Sequence, residues 1–224
     1  MKSRKTTSLK NVFFIGLLSF FGGMGQDMFL PILPIYLTAV LGYHTGFIGL
    51  TEGLVLGFAS IFKIISGYLS DKISSRKSII FAGYFFSMIG RVLLAIFTGG
   101  AAITLLRAAD GIGKGVKDAP KDALVGASTE GGGRGRAFGI YRALDTLGSV
   151  VGPLLLFALL YLLKDNPEKY RYILYFTAIP LFITLLIIIF KVKEEDKPAE
   201  VKTVELQSKL PKKFYYLLDE ISQP

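Results

Sequence analysis

YRYILYFTAIPLFITLLIIIF, Tyr170–Phe190, carries one charge, Arg171, at its second position and none after it. A helix of that length covers about 30 Å at 1.5 Å per residue, the thickness of a bilayer's hydrocarbon core. A helix apolar on every side is buried in a large core or in lipid. Upstream, five further stretches are similar in length and largely apolar: Asn11–Leu41, Thr45–Leu69, Ser78–Thr98, Ala101–Ala119 and Ala137–Leu163. The chain is therefore predicted to be an all-α integral membrane protein with six transmembrane helices. Its composition agrees, with 51% hydrophobic residues, 13% aromatics and a mean hydropathy of +0.50. The first stretch is too long for a signal-peptide core, and Pro31 and Pro34 within it predict a kink.

A net charge of +9 invites a nucleic-acid reading, but its placement argues otherwise. From Lys191 onward seven lysines meet seven acidic residues, so the excess lies upstream. There it gathers at segment ends: Lys2, Arg4, Lys5 and Lys10, then Lys72, Arg76 and Lys77, then Arg134 and Arg136. Cytoplasmic loops of membrane proteins have this distribution. The connections Leu41–Thr45 and Thr98–Ala101 hold no Lys or Arg, whereas 70–77 and 129–136 are basic. Both termini are thus predicted to be cytoplasmic, with the protein in the cell membrane. Residues 1–10 read as a basic tail and 11–190 as the bundle. Residues 191–224 read as a charged linker followed, at Phe214–Leu218, by the truncated start of a seventh span. With no cysteine, disulfides and thiol chemistry are excluded.

Charges inside spans are costly and usually face a protein interior or water, where they find partners. Here they are Asp27, Glu52, Lys63, Arg91, Arg107, Asp110, Lys114, Arg142 and Asp145, with Asp27, Arg91, Arg107 and Asp110 near mid-depth. All but Lys63 are candidates for solute or proton translocation; structural ion pairing is the plainer alternative. In the fourth span Arg107, Asp110, Lys114, Lys117 and Lys121 recur every three or four residues and share one face. In the fifth, Arg142 and Asp145 lie one turn apart, able to pair with each other or with the fourth span. Gly49, Gly53 and Gly57 form one small-residue stripe, and Gly148 and Gly152, followed by Pro153, another. Such spacing lets helix backbones approach closely.

Between the second and third spans stands Gly67-Tyr-Leu-Ser-Asp71-Lys72-Ile-Ser-Ser-Arg76-Lys77. In sequence and in place along the topology this resembles the signature loop of the major facilitator superfamily (MFS), although Ser74 stands where glycine is usual. Arg107-Ala-Ala-Asp110-Gly111-Ile-Gly113 is similar to that family's fourth-helix motif, and Gly148-Ser-Val-Val-Gly152-Pro153 to the start of its fifth-helix motif. Leu156 and Phe157 replace the later glycines of the latter. The resemblance covers about Asn11 to Tyr216, one half of a usual member. It implies an N-terminal six-helix bundle of a secondary transporter that moves a small solute by alternating access. It further implies proton coupling associated with Arg107, and a cytoplasmic gate formed by Gly67, Asp71, Lys72, Arg76 and Lys77. The implied partners are the lipid bilayer, a small-molecule solute, protons, and a second six-helix bundle from a homodimer or a separate chain. No cofactor, metal or nucleic acid is expected.

Other motifs fail on inspection. Gly113-Lys114 lacks the flanking residues of a phosphate loop, since Ala108 and Gly115 occupy the glycine and Ser/Thr positions. His44, the single histidine, has no second ligand nearby in sequence. Asp110-Gly111 with Asp118 and Asp122 resembles the metal-binding aspartates of membrane phosphatidyltransferases, but Lys114-Gly115 stand where Ala-Arg belongs. An enzyme is therefore not expected. A membrane partner protein without transport activity is the other alternative.

Overall fold

The computed structural model describes residues 9–72, 75–129 and 133–194, the side chains of Asp71 and Lys72 excepted. Helix α1, Leu9–Ile35, runs through Pro31 and Pro34 and widens into a π-helical turn at Tyr36–Val40. Then follow α2 (Thr45–Lys72), α3 (Arg76–Ile96), α4 (Gly100–Ala127), α5 (Arg134–Leu162), α6 (Lys169–Phe176) and α7 (Ala178–Phe190). Two differences from the sequence expectation have physical causes. The fourth segment does not stop at Ala119; α4 continues past Pro120 to Ala127 because Leu124 and Val125 are drawn into the core. The last span is divided at Thr177, whose hydroxyl donates to Leu174 O at 2.7 Å.

Among the described residues, five helical stretches are long and apolar enough to cross a membrane: 9–40, 45–70, 76–96, 134–162 and 169–190. Helix α4 matches them in length but carries Arg107, Asp110, Lys114, Lys117, Asp118, Lys121 and Asp122. It is sheltered between α2 and α3, while α1 packs on α5 and α7, and α7 also on α3. An element this charged sits where neighbouring helices cover it.

Glycine sets how closely the helices approach. A Cβ on Gly111 would lie 2.7 Å from Val55 O of α2, and one on Gly113 2.9 Å from Gly83 O of α3. Gly148 and Gly152 of α5 lie against the backbone of Phe20 and Met24 of α1, whereas Pro153 is exposed. The stripe Gly49, Gly53 and Gly57 is not used in packing within this bundle, for among the described residues a Cβ there would meet nothing within 4 Å. Helix α2 instead docks through the face bearing Thr51, Val55 and Ser66. Two apolar clusters form the core. One contains Val12, Ile15, Leu18, Leu124, Ala137 and Leu185, and the other Ile32, Leu33, Leu94, Ile103, Leu156 and Ile173.

Candidate translocation site

Arg107 is fully buried on α4 and is held from two sides. Its Nη1 donates to Asp110 Oδ2 at 2.9 Å, one turn along the same helix. Its Nη2 donates to Glu52 Oε1 of α2 at 2.5 Å, with the Glu52 side chain 30% exposed. Sequence spacing anticipates the first pair; the second depends on the close docking of α2 on α4 that Gly111 permits. Among the described residues, Asp110 Oδ1 and Arg107 Nε are buried without a hydrogen-bond partner. The carboxylate thus keeps an unused acceptor in a region of low dielectric, where such a group is expensive.

Arg91 of α3 is equally buried but lies on carbonyls rather than a carboxylate. Its Nη1 donates to Gly25 O at 2.7 Å and to Thr177 O at 3.4 Å, and its Nη2 to Gln26 Oε1 at 2.6 Å. It thereby joins α1, α3 and the break between α6 and α7. The Arg91 and Arg107 guanidiniums both lie over the Phe29 ring, 4.7 and 5.3 Å from its centroid.

A cavity of about 200 Å³ opens beside this network. It brings together Asp27, Arg91, Lys114, Arg142 and Asp145 of the predicted residues, and Lys63 as well. Glu52, Arg107 and Asp110 do not line it. Its walls also carry Gln26, Tyr84, Ser87, Lys117, Asp118, Lys121, Asp122, Tyr141 and Ser149. Lys117 and Lys121 are visible in the sequence as members of the α4 stripe. Tyr84 and Tyr141 carry no such signal, since an aromatic residue in a span reads as core. Lys117 Nζ sits 5.2 Å from the Tyr84 ring centroid and Lys121 Nζ 5.6 Å from that of Tyr141. Arg142 reaches Asp122 at 3.3 Å and Asp145 at 3.8 Å, so it pairs both across to α4 and along its own helix. The Tyr141 hydroxyl donates to Asp122 Oδ1 at 3.0 Å. Asp118 and Asp122 therefore serve this polar wall; among the described residues no His, Cys, Asp and Glu cluster could hold a metal.

At the end of the bundle where α3 begins, Arg76 is buried. Its Nε donates to Ser70 Oγ at 3.3 Å and its Nη1 to Ala123 O at 3.4 Å. Glu194, beyond α7, accepts from the backbone N–H of Arg76 at 2.9 Å and of Lys77 at 2.8 Å. Lys77 Nζ donates to Ile189 O at 2.9 Å. A Cβ on Gly67 would lie 3.7 Å from that of Ala119, an ordinary contact distance. The gate side chains of Asp71 and Lys72 lie outside the described residues.

Comparison with known proteins gives this arrangement a family. The Major Facilitator Superfamily model matches residues 15–219. An uncharacterized MFS-type transporter of Methanocaldococcus jannaschii is 35% identical over 193 residues, which are 86% of this chain and 47% of that protein. Multidrug resistance protein MdtH of Aeromonas hydrophila is 30% identical over 132 residues, 59% of this chain and 33% of that protein. Among solved structures, an inward-facing, unoccupied bacterial homolog of the human lysosomal transporter Spinster superposes with a TM-score of 0.67 at 19% identity. It covers 92% of this chain and 47% of its own, a likeness of fold. The chain thus spans half or less of the length of the relatives it matches. With its apolar helices and this family match, the protein is a multi-pass membrane protein belonging to the major facilitator superfamily.

Proposed function

We propose that the chain forms one six-span bundle of a secondary transporter that moves a small solute by alternating access. The observation that carries this reading is a cavity lined by charges from α1, α2, α3, α4 and α5, set among helices apolar enough to span a bilayer. Buried polar groups drawn from several helices suit a solute path. In this reading α4, the fourth span in chain order, brings the five apolar stretches to six and is hidden from lipid by its neighbours. Asp27, Arg91, Lys114, Arg142 and Asp145 contact the solute, and Glu52, Arg107 and Asp110 handle protons. Asp71, Lys72, Arg76 and Lys77 form the gate on the cytoplasmic side, where both termini lie.

A second bundle completes the path, supplied by another copy or a separate chain. The exposed faces of α2 and α5 support this, for they present Leu50, Leu56, Ile61, Leu147, Val150 and Leu154 beside the open Gly49, Gly53 and Gly57 stripe. Proteoliposomes carrying the transporter test the reading. Solute uptake is expected to fall on Arg107→Ala and Asp110→Asn and to depend on a pH gradient. Uptake insensitive to both substitutions would sink the assignment.

A further inference from the structure

We propose that the cavity recognises its solute through an anionic group, a phosphate or a carboxylate. This deepens the transporter reading and rests on the cavity being the solute site. Six cationic side chains line it, Lys63, Arg91, Lys114, Lys117, Lys121 and Arg142, against four carboxylates, Asp27, Asp118, Asp122 and Asp145. Pairing makes the imbalance larger. Arg142 takes both Asp122 and Asp145. Among the described residues the four lysines have no ion pair, and Arg91 is held by carbonyls and Gln26. Asp27 and Asp118 are left to face five cations.

Burial sharpens the point. Lys117 is 8% exposed and Lys121 7%, and lysine is almost never that buried unless it is paired. Their ammonium groups rest over the Tyr84 and Tyr141 rings. A ring face steadies a cation without using its N–H donors; apart from the bond that Lys121 shares with the Tyr84 side chain, those donors are left for another acceptor. Lys114, Lys117 and Lys121 follow one another at helical steps, so their like charges repel in a medium of low dielectric. An oxyanion among them would relieve that repulsion and accept charge-assisted hydrogen bonds. A cationic solute would meet it undiminished, and a neutral one would leave the donors unmatched.

Calorimetric titration and thermal unfolding of the full chain in detergent, at constant ionic strength, test this with four probes at millimolar concentration. Glycerol 3-phosphate and citrate are the anions; glycerol and choline are the neutral and cationic controls. An anion is expected to bind and to raise the melting temperature, and the preferred one identifies phosphate or carboxylate. Lys117→Gln and Lys121→Gln should each weaken it about tenfold, the loss of a charge-assisted bond. Lys121→Arg should retain most of the affinity, which separates charge from fold. Glycerol or choline binding as well as the anions overturns the anionic preference, as does binding of none of the four or indifference to both Gln variants. Ser149→Phe, which fills the cavity, separates the two levels. Glycerol or choline binding that it abolishes leaves the cavity a solute site of another class, whereas anion binding that survives it removes the cavity from the reading altogether.

Discussion

Arg107 on α4 donates to Glu52 on α2 at 2.5 Å while the same guanidinium holds Asp110 at 2.9 Å. One buried cation thus depends on two carboxylates, and the loss of either leaves it half-satisfied. Glu52→Gln and Asp110→Asn should each destabilise the protein by about 1–3 kcal/mol. The double variant should lose at least about 0.5 kcal/mol more than the two single losses combined, because the substitutions share a partner. Unfolding in detergent, followed by circular dichroism, reads both quantities.

Arg91 works by geometry as much as by charge. Arg91→Lys keeps the charge but loses the fork that reaches Gly25 O, Thr177 O and Gln26 together. It should remain folded with a lower melting temperature. Arg91→Met removes all three hydrogen bonds and should lower it further, since a hydrogen bond to a charged group contributes about 1.5–3 kcal/mol.

The two glycine stripes should respond in opposite ways. A Cβ on Gly148 runs into the Phe20 backbone, so Gly148→Ala should cost about 1–3 kcal/mol by overpacking α1 against α5. Gly53→Ala meets open space and should be neutral or stabilising by up to about 1 kcal/mol through helix propensity. Should Gly53→Ala weaken a cross-linked dimer while leaving the isolated fold unchanged, the open stripe is an interface.

Glu194 caps the start of α3 from beyond the last helix, accepting from both Arg76 N and Lys77 N. Glu194→Ala removes these two acceptors and should cost about 1 kcal/mol, as the loss of a helix cap does. Amide exchange at Arg76 and Lys77 should speed up, while that in the middle of α3 stays unchanged. Equal protection in the variant would show that the cap is dispensable.

Much of this was legible in the sequence, for identifiable reasons. Span length and apolarity are local properties, so Tyr170–Phe190 announces a membrane helix without reference to any neighbour. Helical periodicity is local too. It placed Arg107, Asp110, Lys114, Lys117 and Lys121 on one face and Arg142 within reach of Asp145. The Gly67–Lys77 loop and the motifs Arg107–Gly113 and Gly148–Pro153 pointed to the family that the comparisons show.

Tertiary structure decided which faces meet. Spacing cannot say whether a glycine stripe is covered; docking left Gly49, Gly53 and Gly57 open and closed Gly148 and Gly152 against α1. Nor can it say that Arg91 takes carbonyls rather than Asp27, or that Glu52 reaches Arg107 across 55 residues. Tyr84 and Tyr141 became cavity walls only when α3 and α5 were brought beside the α4 lysines. The sequence by itself determined a set of membrane helices and the charges each carries, because backbone geometry repeats every few residues. The partners of those charges belong to the packed bundle, where the burial of every other surface decides the rotation and depth of each helix.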